Sequence, residues 1–168
     1  MKLDMKKLSL AVLAVLISSL GTLAYAHSEK PHAEKSGPIV VEQKAWGIAG
    51  NPKSVGRTIS LTMQDSMRFS RDTISVKQGE TIRFAVKNRG NMLHEMVIGT
   101  KKELDEHAAL MLKFPNMEHD EPYMAHVAAG KSSQIVWTFN KPGNFEFACL
   151  VAGHYQAGMM GKINVAAR

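Results

Sequence analysis

One cysteine constrains this chain more than any other residue. Cys149 closes an alternating segment, Phe145 to Ala148, that reads as the end of a strand, and His154 and Met159 follow it at successive five-residue steps. Gly153, Gly158 and Gly161 punctuate what comes after, so a tight loop can turn three side chains toward one point. Thiolate, imidazole and thioether are soft to borderline donors. With one further histidine they make up a set that holds copper, two His and one Cys roughly in a plane with a weak axial Met. The cysteine has two other readings, a small buried core residue or a nucleophile with His154 as its base. No third catalytic group or oxyanion site is readable beside the pair, which weighs against the nucleophile.

The redox compartment sharpens this choice. Lys2, Lys6 and Lys7 precede an apolar run from Leu8 to Leu23, and Ala24-Tyr25-Ala26 offers a small-x-small cleavage site. That is the pattern of a secretory signal over residues 1–26, too short and too well flanked by a cleavage motif for a stable membrane anchor. Export, as to a periplasm, would leave Cys149 without an internal disulfide partner in an oxidising compartment, so a metal-bound thiolate is its natural protected state. Cleavage takes away three Lys and one Asp, and the formal charge falls from +6 to +4. That mild balance has no Lys/Arg block and excludes a dedicated nucleic-acid binder; it suits docking to an acidic redox partner.

Residues 27–38 lack apolar periodicity and read as a flexible tail. His27, as the new N-terminus, could chelate copper through its α-amine and imidazole, with His32 adding a donor; the alternative is a solvated tail with two incidental histidines. Residues 39–168 then form one domain, with Ile39 to Val41 as a first strand. Alternation over residues 57–63, 72–76, 81–88, 132–139 and 145–149, broken by Gly and Pro turns, predicts an all-β Greek-key sandwich of about seven or eight strands. One short helix interrupts it. Thr100 and Glu103 form a capping box, Leu104, Ala108, Met111 and Leu112 fall on one face, and Pro115 marks the end. His107 borders that face as a boundary residue. The following Pro-bounded loop holds Met117, His119, Met124 and His126, a candidate second copper site by donor type, with packing as the alternative for its methionines. Met63, Met67, Met92, Met96 and Met160 would add to a Met-rich surface or fill the core.

The Cys149, His154 and Met159 loop and the Gly161-Lys162-Ile163-Asn164-Val165 tail resemble the C-terminal ligand loop and last strand of cupredoxins, the plastocyanin and azurin group of copper-binding β-sandwiches. The family's first histidine follows an Asn-rich turn and opens a strand. His94, after Asn88-Arg89-Gly90-Asn91, is similar in kind and context, so the resemblance implies a His94, Cys149, His154 and Met159 copper site, with His94 Nδ1 facing the metal. Many cupredoxins place Asn just after this His as a tie across to the ligand loop. Here Glu95 follows, and Leu150 rather than a hydroxyl residue follows Cys149, so the sequence does not supply that tie in its usual form. Residues 72–165, with the helix and the Met/His loop, look like exported cupredoxins linked to copper tolerance. The resemblance therefore implies a copper-tolerance protein rather than an enzyme, or alternatively a soluble one-electron carrier.

Overall fold

The computed structural model describes residues 41–115, 117 and 119–168. The signal segment, the tail with His27 and His32, and residues 39–40 lie outside the described residues; Val41 is not in a strand.

Strands with period-2 alternation build two sheets. β1 (Ile48–Ala49), β2 (Arg57–Gln64), β3 (Arg68–Phe69), β5 (Thr81–Asn88) and β8 (Ser132–Thr138) form one, in the order β1-β8-β5-β2-β3. β4 (Thr73–Lys77), β6 (His94–Gly99), β7 (Met124–Val127), β9 (Gly143–Ala148) and β10 (Met160–Ala166) form the other, in the order β4-β10-β9-β6-β7. β2 runs parallel to β5 and β4 parallel to β10, while the other pairs are antiparallel. This is the predicted Greek-key sandwich with ten strands rather than seven or eight. The surplus comes from β1 and β3, two-residue strands too short to show any period.

Inward residues of both sheets meet in one core. Alternation sends Ile59, Leu61 and Met63 of β2 inward, and Ile163 and Val165 of β10 inward from the opposite side. Trp137, Phe84, Phe139 and Phe147 fill the centre, and the Phe69 and Phe147 rings meet edge-on across the sheets at 4.9 Å. Burial of each large aromatic removes on the order of 150–250 Å² from water, which makes this cluster the main source of cohesion. Met63 and Met96 are fully buried here, so these two methionines are packing, whereas Met92 and Met160 are exposed.

The inserted helix α1 (Lys101–Lys113) starts where the sequence says. The Thr100 side chain accepts a hydrogen bond from the Glu103 N–H and supplies the N-cap. Leu104, Ala108 and Met111 lie along one stripe and pack on Val97, Met124, Ala148 and Leu150 of the second sheet's outer face. Leu112 departs from the expectation: it is 52% exposed, at the edge of the stripe in the last turn. No helix among the described residues is long and apolar enough to cross a membrane.

Candidate metal centre

Three of the four expected donors converge. β9 ends at Ala148, and Cys149 enters the loop that returns to β10. The Cys149 N–H donates to the Met159 carbonyl at 3.0 Å and the Met159 N–H to the His154 carbonyl at 3.1 Å, so the loop is pinned at its base and bent back on itself. Gly153 and Gly158 take positive φ within it, 89° and 88°, where a side chain would be strained. His154 Nδ1 then lies 3.3 Å from Cys149 Sγ. His94 comes from the neighbouring strand β6, and its Nδ1 lies 3.9 Å from the same sulfur. One donor atom from each of His94, Cys149 and His154 falls within 4.8 Å of the other two, and all three residues are buried. Met159 is fully buried in the same apolar cluster as Cys149.

The choice of nitrogen on His94 is set by a residue the sequence did not single out. Asp65, just beyond β2, places Oδ1 3.1 Å from His94 Nε2 and accepts from the Asn91 N–H at 2.7 Å. That backbone hydrogen bond and the histidine contact hold its carboxyl below the usual range. With Nε2 engaged, Nδ1 is the nitrogen free to face the sulfur. Asp65 fits only because residue 90 is glycine: an added Cβ would sit 1.9 Å from Asp65 Oδ1. Asn88, fully buried, stiffens the same turn by donating to the Met92 and Val127 carbonyls and accepting from the Gly90 N–H.

Glu95 corrects the expectation about the cross-loop tie. Its carboxylate Oε1 accepts from the Leu150 N–H at 2.8 Å, and its own N–H points at Cys149 Sγ at 3.3 Å. The β6–β9 ladder ends at Val97 and Ala148, and beyond it the Glu95 side chain takes over from backbone pairing. The tie is therefore made, by a longer side chain than the asparagine of the family pattern. Two further contacts brace the loop: Arg68 of β3 donates to the Ala157 carbonyl at 2.9 Å, and the Tyr155 hydroxyl donates to Asp105 of α1 at 2.6 Å.

The donor set fits copper. Burial pushes the Cys149 thiol up to about 12, so without a cation the sulfur keeps its proton at neutral pH. Burial and the neighbouring His94 push His154 down, which keeps its imidazole neutral and able to donate a lone pair. A soft cation that replaces the thiol proton beside the two imidazoles satisfies all three buried groups at once.

The second predicted cluster is only partly assembled. His119 and His126 come together, with ring centroids 5.2 Å apart, and His107 of α1 stacks edge-on against His119 at 4.5 Å. Met124 is instead packed under α1, and Met117 is 40% exposed and lends its carbonyl to His119 Nδ1 at 2.9 Å. The third member of the cluster is Glu95, whose Oε2 lies 2.9 Å from His126 Nε2. That contact raises the His126 pKa, and burial with the nearby His119 lowers that of His107.

Fold and site together define a copper-binding β-sandwich: residues 57–166 match the family described as "Copper binding proteins, plastocyanin/azurin family", and the chain belongs to it. Among its relatives is the protein named copper-resistant cuproprotein CopI of Rubrivivax gelatinosus, 48% identical over 71% of this chain and 73% of that one. The protein of the same name from Pseudomonas aeruginosa is 32% identical over 94% of each chain. In fold the chain is similar to the crystal structure of dithionite-reduced auracyanin from Roseiflexus castenholzii, with a TM-score of 0.58, 21% identity and coverage of 67% of this chain and 98% of that one.

Proposed function

We propose that this chain is a periplasmic type 1 copper protein that acts in copper tolerance. The observation that carries the reading is the convergence of His94, from β6, with Cys149 and His154, from the loop between β9 and β10, into one buried cluster that contains the chain's only cysteine. Cys149 would supply the strong thiolate, His94 and His154 the imidazole donors through Nδ1, and Met159 a weak thioether. Copper, when bound, supplies one-electron chemistry. The protein's residues hold the donors still: Asp65 orients His94, Glu95 ties the ligand loop, and apolar packing keeps water out. Such a fixed frame changes little between oxidation states, which favours redox cycling. The export pattern at residues 1–26 supports a periplasmic location, and the printed names of the relatives support a tolerance role. Tight four-donor holding supports binding rather than a catalysed reaction.

The alternative is a soluble electron carrier, and it has an observation of its own. Met92 and Leu93, directly before His94, are 41% and 48% exposed and present an apolar surface next to the site. The discriminating experiment has two arms. Cells lacking the protein are complemented with native chain, Cys149→Ser or Leu93→Lys, and growth on copper is scored; electron exchange of the purified native and Leu93→Lys proteins is timed in parallel. The tolerance reading expects growth with native chain and Leu93→Lys but not with Cys149→Ser. Failure of native chain to restore growth, with exchange sharply slowed by Leu93→Lys, would instead establish the carrier.

A further inference from the structure

We propose that Glu95, His119 and His126, with His107 beside them, form a second metal site for a divalent cation of the Cu(II) type, and that Glu95 couples its occupancy to the Cys149 site. The coupling rests on the proposed reading of Cys149 as a copper ligand; the second site does not.

Strand geometry places the two clusters on opposite faces of one sheet. His94 and Glu95 are consecutive on β6, so their side chains alternate: His94 joins Cys149 on one face, and Glu95 goes to the face that α1 covers. β7 pairs antiparallel with β6, with His126 directly opposite Glu95. The loop after α1 brings His119 over this pair, and one donor atom from each of Glu95, His119 and His126 lies within 4.8 Å of the other two.

An internal contact accounts for part of this arrangement and leaves part unexplained. Glu95 is 1% exposed, and His126 Nε2, 2.9 Å away, partners its buried carboxyl group. His119 has no such explanation. Its Nδ1 donates to the Met117 carbonyl, which fixes the tautomer and leaves a lone pair on Nε2. That Nε2 is buried and has no hydrogen-bond partner among the described residues. A buried nitrogen without a partner is costly, and a cation between it, His126 and Glu95 removes the cost. The donors are imidazole and carboxylate. That set selects a borderline divalent ion, Cu(II) or Zn(II), over Cu(I), which would want the thioethers that Met124 and Met117 do not bring together here.

Glu95 belongs to both sites. Oε2 faces His126, Oε1 accepts from the Leu150 N–H, and the Glu95 N–H meets Cys149 Sγ. A cation that draws charge from this carboxylate weakens its hold on Leu150, next in sequence to Cys149. Bonds of this kind around a ligand tune the metal it holds.

The test uses the full chain with one Cu(II) already bound and titrates further Cu(II) by equilibrium dialysis. Electron paramagnetic resonance and the visible thiolate band are followed together. Native protein is expected to take up one equivalent more than His119→Gln or His126→Gln, with a copper signal that lacks thiolate absorption. Any copper held by His27 or His32 is common to all three and cancels. Met124→Leu is expected to keep the full uptake. The thiolate band is expected to shift as the extra equivalent binds in native protein and not in His119→Gln. A full-strength band in that variant shows that it is folded. Equal uptake by native protein and both variants overturns the site, and loss of uptake in Met124→Leu overturns the donor set. Uptake without a band shift overturns the coupling. A native protein with no thiolate band at all overturns the Cys149 reading instead, while the extra equivalent remains readable by resonance.

Discussion

Cys149→Ser is expected to abolish the intense visible band of the copper-loaded protein, because a serine hydroxyl is a hard donor with no thiolate-to-copper charge transfer. Visible absorption after copper loading checks this, and a persistent band would remove Cys149 from the site. Met159→Leu is expected to keep copper bound while raising the reduction potential, since it would delete the proposed weak thioether donor, which favours Cu(II). Potentiometry of the two proteins checks it; a lowered potential would count against axial ligation. At this scale the structure also explains why a carboxylate can stand where the family pattern has an amide. Glu95 is long enough to reach the Leu150 N–H from β6, and its second oxygen is satisfied by His126.

Among the elements, the 88–93 turn and the inserted helix do the positioning. Gly90→Ala would push a Cβ to 1.9 Å from Asp65 Oδ1 and displace the carboxylate that holds His94 Nε2. Copper affinity is expected to fall by roughly 10–100-fold, the usual cost of losing such a supporting contact. Competition against a chelator measures it, with far-ultraviolet circular dichroism showing that the sheets persist; unchanged affinity would mean that Asp65 does not orient His94. Thr100→Ala removes the N-cap of α1 and is expected to cost about 1 kcal/mol in urea denaturation. The effect should extend beyond the helix, because Tyr155 of the ligand loop donates to Asp105 on α1.

For the molecule as a whole, metal and fold are linked. The donors come from β6 and from the loop between β9 and β10, and only the folded state brings them together. Copper should therefore stabilise the chain by about 2.7 kcal/mol at a free concentration a hundred times Kd, less whatever the unfolded cysteine and histidines bind. Denaturation with and without copper checks this, and Cys149→Ser should lose most of the increment. A copper-independent midpoint in the native chain would mean that the site does not favour the folded state.

The sequence by itself determined the strand alternation, the Thr100 cap, the buried stripe of α1 and the Cys149–His154–Met159 loop, because each depends on residues close together in the chain. Resemblance to the family also singled out His94. What it could not supply was register and facing. Asp65 lies 29 residues from His94, and the parallel pairing of β2 with β5 carries it beside the turn that leads into that histidine. The pairing of Glu95 with His126 follows from the β6–β7 register, and the covering of that pair follows from where α1 and its loop come to rest. Composition placed Met124 with those histidines; burial under α1 took it away. Such contacts are fixed by which faces of the sheets are buried and against what, and that is a property of the packed molecule rather than of any stretch of the chain.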